Sequence, residues 1–225
     1  MLVNMERKTP TKIVIYGSSG FGREVLWTIN DCNKNNTQFD VLGFIDDDSS
    51  LWGKKINSIK VIGGKNWFTH ENIKTVKCVV AISNPNIRKK IVGELEKKKV
   101  QFTTIIHPTV IFSESVKIGN GTIIQAGTII TIDTVLGNHV HVNIDSTIGH
   151  DCKIADFVTI APGSHINGNN KIGSNTDVGS GSVTIQNIKI GKNCIIGAST
   201  VIINNIPDCS LVVGNPGKIK DKKKE

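Results

Sequence analysis

Residues 142–166 read VNIDSTIGHDCKIADFVTIAPGSHI. An aliphatic side chain returns at every sixth position: Val142, Ile148, Ile154, Ile160 and Ile166. Carried outward in both directions, the same register runs from Ile106 through Phe112 and Thr184 to Ile202. It holds 17 positions without a gap, 15 of them aliphatic. Four residues after most of them stands a small or β-branched residue, such as Thr122, Thr134, Ser146, Cys152, Ser164 and Thr176. Glycine often follows the aliphatic directly, as at Gly137, Gly149, Gly173 and Gly191. This is the pattern of a parallel β-helix built from six-residue repeats. Three repeats close one coil, so each aliphatic stacks on its equivalent in the next coil, about 4.8 Å along the axis. The register predicts between five and six coils.

The first hundred residues follow a different period. Lys12–Tyr16 is a short apolar run, and Gly17-Ser-Ser-Gly20-Phe-Gly22 follows it. The segment from Arg23 to Ile29 then has helical spacing. Strand, glycine-rich turn and helix open a nucleotide-binding βαβ unit, in which the helix N-terminus favours a phosphate. The spacing is GxxGxG rather than GxGxxG, so a tight turn without a ligand is the competing reading. A second strand, Asp40–Ile45, ends in Asp46-Asp47-Asp48, where a ribose or sugar hydroxyl is often held. An Asp-rich turn is the alternative there. A strand over 78–82, a helix over 86–99 and a fourth strand over 101–106 complete a small, truncated, Rossmann-like α/β domain. The chain therefore divides into residues 1–105, 106–217 and a basic tail at 218–225.

Composition agrees with this division. The chain has 225 residues, 22 of them Gly, with only 5% aromatics and 20% charged residues. Disorder over most of the length is excluded by the apolar content. The net charge is +8, and the tail carries three units of it. Few aromatics and no basic stripe argue against nucleic acid, whereas anionic small molecules such as nucleotides or CoA suit the charge. Five cysteines without a CxxC pair predict reduced, mostly buried thiols. No signal-peptide or membrane-spanning run is visible, so a cytoplasmic protein is expected.

Six segments carry a family resemblance. They are KIVIYGSSGFGRE (12–24), FIDDD (44–48), AISNPNIRKK (81–90), IIHPTV (105–110), STIGHDCKI (146–154) and VVGNPGKIK (212–220). In this order they resemble the sugar O- and N-acyltransferases of the sialic-acid O-acetyltransferase type. That group includes bacterial enzymes that N-acetylate nucleotide-linked 4-amino sugars. The resemblance implies a left-handed coil, against the usual right-handed rule for parallel crossovers. It also implies acetyl-CoA or another acyl-CoA as co-substrate, a nucleotide sugar as acceptor, and a homotrimer with sites between subunits. No metal, NAD, nucleic acid or membrane enters that expectation.

Acyl transfer from a thioester needs a base for the attacking nucleophile and a donor for the oxyanion. Among six histidines, His150 follows Ile148-Gly149 and precedes Asp151. An acidic neighbour can orient an imidazole and raise its basicity. His70 reads as solvated, His107 and His165 as structural or peripheral, and His139 and His141 as neighbours of His150. Gly168 lies 18 residues after His150, so it should stack on it and offer its amide. The resemblance makes His150 the general base, Asp151 its support in place of a more usual Glu, and Gly168 the oxyanion donor. It places Asn143 against the acceptor sugar. Backbones of Gly179, Ser180, Gly197 and Ala198 would take the CoA arm. Ser19, Gly20, Phe21, Asp46, Asp47 and Ser83 would take the nucleotide end. A family histidine that contacts the cofactor is replaced by Thr159. N-acetylation of an amino sugar is the expected activity, and O-acetylation of a sialic acid or other sugar is the alternative. Two rivals of other classes remain: a nucleotide-binding reductase, which lacks a suitable Tyr because Tyr16 lies inside the first strand, and a non-catalytic β-helical scaffold.

Overall fold

The computed structural model describes residues 9–35 and 37–220. Strand β1 (Thr11–Tyr16) leads through the glycine-rich turn into helix α1 (Gly20–Lys34), and β2 (Phe39–Ile45) returns parallel to β1. A hairpin of β3 (Lys55–Ile56) and β4 (Ile59–Gly63) follows, then β5 (Lys77–Val80), α2 (Pro85–Lys97) and β6 (Gln101–Phe102). The sheet order is β3-β4-β2-β1-β5-β6, parallel except for the β3–β4 hairpin. Strands β1 and β5 are near-continuous apolar runs because both sheet faces are covered. One face packs Val25, Leu26 and Ile29 of α1, and the other packs Val92 and Leu95 of α2. The Asn84 side chain caps α2 by accepting from Ile87 N, with Pro85 at the first helical position.

From Ile105 the chain winds into a left-handed parallel β-helix of three sheets with eight, six and five strands. Every coil strand up to Val201–Ile202 is two residues long and pairs 18 positions away, for example Thr147 with His165 and Ile148 with Ile166, whereas Leu211–Val213 pairs with Ile195–Ile196 at an offset of 16. The inward ladder is buried from Ile124 to Ile202, Thr184 included. The first coil departs from expectation: Phe112 is 42% exposed and Ile106 and Ile118 are half-buried. Among the described residues no coil precedes it, so the ladder has no further coil to stack on at that end.

From Gly121 to Ser199 each corner between strands carries one residue in the left-handed region. Those residues also recur every six positions, from Gly121 and Gly127 through Asp133, Asp145 and Asp151 to Asn169, Asn187 and Asn193. Asn, Asp and Gly tolerate that backbone at little cost, which explains why they populate the corners. The small residue after each corner serves a second purpose. Thr122, Thr134 and Thr176 donate to the carbonyl 15 residues on and accept from the amide 18 residues on.

Three further boundaries differ from the sequence reading. The expected strand over 101–106 is split, with Gln101–Phe102 in the first sheet and Ile105–Ile106 in the first coil. The β3–β4 hairpin falls where no strand was expected, since its pairs are too short to show alternation. Lys218–Lys220 pairs antiparallel with Leu211–Val213, so these residues cap the coil and are not tail. Residues 221–225 of the expected tail lie outside the described residues.

The two parts are joined on one face of the coil. Ile105 and Ile123 complete the core under α1. Arg88, fully buried on α2, donates to the carbonyls of Ile82, Ser83, His139 and Phe157 and to Thr159 Oγ1, and its Nη1 lies 3.1 Å from His141 Nδ1. Burial pulls its pKa down to about 9, opposed by Asp177, so it stays charged at neutral pH.

Candidate active site

His150 and Asp151 form the corner after the strand Thr147–Ile148. Asp151 is the left-handed residue there, with φ 59°. His150 Nδ1 lies 2.8 Å from Asp151 Oδ2. A carboxylate only accepts, so Nδ1 carries the proton and Nε2 keeps its lone pair. The imidazole is 61% exposed, with Nε2 over the next coil: a Cβ at position 168 would collide with it, so any residue but glycine there would displace the ring. Gly149 is likewise required, since its Cβ would come within 2.6 Å of Gly168 N. Among the described residues the Gly168 N–H donates to no acceptor.

A cleft of about 470 Å³ opens along this corner, lined by Thr131, Gly149, His150, Asn167, Gly168 and Gln186 among others. The step of 18 that links His150 to Gly168 also reaches Gln186, which the sequence reading passed over. Thr147, on the cleft wall, bonds the exposed His165 across coils (Oγ1 to Nδ1 2.9 Å).

The other expected residues fall in different places. Ser19 and Asp46 line a second cleft of about 670 Å³ at the carboxyl ends of β1 and β2, with Ser18, Arg23, Lys55 and Asn57. That is where a doubly wound sheet presents ligands. Asp46 accepts from Ser18 N and Oγ and from Asp48 N, which ties the glycine-rich turn to β2. Gly20 begins α1, and Phe21 packs against the His141 ring at 5.0 Å. Asp47 faces Tyr16, whose phenol is pushed up by burial first and by that carboxylate second. The Ser83 carbonyl accepts from Arg88 and Thr159. Thr159 is thus occupied between the two parts of the chain.

Asn143 is buried, its Nδ2 donating to Ile160 O. It shares a row of corners with Gly179, Ser180, Gly197 and Ala198, one edge of the triangular prism away from the His150 row. A single chain does not bring the two rows together. His139 and His141 were expected beside His150, but they lie on the face under the α/β domain. Half a coil separates them from His150, and half a coil leads to another side of the prism. His107 is structural, held between Asp31 and Thr109. Arg88 had no signal beyond its basic cluster, because its partners are backbone carbonyls that sequence does not distinguish.

Comparison with known proteins supplies the family. Residues 12–95 match the PglD N-terminal domain, and residues 133–168 match the bacterial transferase hexapeptide, six repeats. The acetyltransferase domain of PglB from Neisseria gonorrhoeae, solved in complex with acetyl coenzyme A, superposes with a TM-score of 0.85 at 30% identity, covering 94% of this chain and 100% of that one. The chain belongs to this family of hexapeptide-repeat sugar acetyltransferases. Two curated relatives agree. UDP-N-acetylbacillosamine N-acetyltransferase of Bacillus subtilis is 35% identical over 26% of this chain and 32% of its own length. GDP-perosamine N-acetyltransferase of Escherichia coli O157:H7 is 35% identical over 48% of each. The chain therefore spans a third to a half of the length of these curated family members.

Proposed function

We propose that the protein transfers an acetyl group from acetyl-CoA to the amino group of a nucleotide-linked amino sugar, for surface glycan synthesis. The observation that carries this reading is the His150 imidazole, with Nδ1 on the Asp151 carboxylate and Nε2 over the free amide of Gly168. The sugar amine attacks the thioester carbonyl carbon, and His150 Nε2 takes its proton. Charge builds on the carbonyl oxygen, which accepts from the Gly168 N–H. Collapse breaks the C–S bond, and the imidazolium returns the proton to the CoA thiolate. Asp151 holds the tautomer and favours the imidazolium that forms.

The cleft at the ends of β1 and β2 suits the nucleotide end of the acceptor, through Ser19 and Asp46, while Gly20, Phe21, Asp47 and Ser83 lie outside its lining. The CoA arm runs along Gly179, Ser180, Gly197 and Ala198. These residues and Asn143 belong to a corner row apart from His150, which favours a homotrimer in which neighbouring chains complete each site. Purified protein given acetyl-CoA and a panel of UDP-, GDP- and dTDP-amino sugars and CMP-sialic acid should release thiol with an amino-sugar acceptor. His150→Ala should lower kcat about 10²–10⁴-fold while folding normally. Wild-type turnover in that variant refutes the assignment, and thiol release with CMP-sialic acid alone moves it to O-acetylation.

A further inference from the structure

Asn170 and Thr184 are exceptions to the repeat. Asn170 stands where other corners carry Thr, Ser, Cys, Val or Ile, and Thr184 is the one hydroxyl in the inward ladder. Both are buried, and they touch: Asn170 Nδ2 donates to Thr184 Oγ1. Nδ2 also donates to Asn167 O (2.9 Å) and Ile185 O (3.0 Å), and Asn170 Oδ1 accepts from Ile188 N. Thr184 Oγ1 accepts from Asn167 N at 3.1 Å. In the coils on either side, the equivalent amide donates to a ladder carbonyl, as Gly149 N does to Ile166 O and Ile185 N to Ile202 O. At Asn167 that ladder bond is replaced by a side-chain bond.

Asn167 O belongs to the same peptide group as the Gly168 N–H. It is gripped from inside the coil by Asn170 Nδ2 and by Cys152 Sγ at 3.2 Å. A trans peptide is planar, with C=O and N–H directed oppositely. Holding the carbonyl inward therefore holds the N–H outward, toward the cleft beside His150. We propose that Asn170, with Thr184, is a positioning residue that aims the Gly168 amide at the oxyanion. The proposal rests on the reading of Gly168 as the oxyanion donor. Its physical basis is that preorganised donors contribute only when their direction is fixed before reaction.

Asn170→Thr separates this role from coil stability. Thr122, Thr134 and Thr176 already make the bonds 15 and 18 residues on that Asn170 makes to Ile185 and Ile188. The substitution keeps those two and deletes the Asn170 bond to Asn167 O, leaving Cys152 Sγ alone on that carbonyl. With acetyl-CoA and GDP- or UDP-linked 4-amino sugars as probes, kcat should fall roughly 10- to 100-fold. Both KM values, the midpoint of thermal unfolding and the acid limb of the pH–rate profile should hold, since His150 is untouched. The double variant Asn170→Val/Thr184→Val, which restores an apolar ladder, should show the same loss. Wild-type kcat in the folded Asn170→Thr protein overturns the positioning role, as does a loss confined to KM. If wild-type protein turns over none of the probes, or His150→Ala keeps full rate, the acyltransferase site itself is wrong and this role falls with it.

Discussion

Three histidines of one repeat region show how neighbours, not residue type, set chemistry. His150 is exposed, has its tautomer chosen by Asp151, and presents a free nitrogen to a cleft. His139 is buried, stacked on Phe157 at 5.3 Å and edge-on to Phe102 at 4.7 Å. His141 lies between Phe21 and Arg88. Burial first, and the Arg88 charge second, lower the pKa of His139 from 6.5 to about 4 and hold His141 well below its ordinary value. Neutral imidazoles are needed beside a buried guanidinium. The unfolded chain takes up these protons near its ordinary pKa, while the folded protein refuses them. Stability is therefore full above about pH 6.5 and falls as pH drops from there toward 4, by roughly 3 kcal/mol for His139 alone. Urea unfolding followed across that range should show the midpoint falling with pH, and less so in His139→Phe. A midpoint constant from pH 7 to 4 contradicts the neutral interface.

At the level of the element, the corner is the unit that matters. The strands are two residues long and hold the coil by repetition, so the geometry of each turn decides what points outward. Gly121 and Gly163 occupy equivalent corners at φ 68° and 65°. A Cβ at 163 meets nothing within 4 Å, whereas one at 121 would strike the His139 ring. Gly163→Ala should cost about 1 kcal/mol, the strain of a left-handed Ala. Gly121→Ala should cost about 3 kcal/mol or more, because the His139–Phe157 stack must also move. Calorimetry on the two variants tests the difference, and equal losses would show that the ring yields freely. The His150 corner obeys the same logic. The repeat sets His150, Gly168 and Gln186 in one row by steps of 18, so this row was readable before any coordinate. The Asn170–Thr184 contact was visible only as two breaks in the pattern, since a buried pair across coils leaves no local signature.

Across the whole molecule, the α/β domain is clamped to one face of a prism, and the residues proposed for the site lie on two of its edges. That arrangement is what a trimer of prisms would complete, and light scattering should give three times the 24.4 kDa chain mass. A monomer that turns over substrate would show that one chain suffices. The period of six determined the β-helix, its inward ladder and the stacking of Gly168 on His150, because a solenoid turns sequence distance directly into axial position. The glycine-rich opening determined a βαβ start in the same way, through local chain geometry. Tertiary structure alone decided the rest. It placed His139 and His141 under the α/β domain instead of beside His150, since half a coil leads to another side of the prism. It committed Thr159 and Ser83 to Arg88, a buried charge satisfied mainly by backbone carbonyls. It left Phe112 half in solvent at the open end of the coil. Each of these depends on which surfaces meet across long sequence separations, and no repeat encodes that.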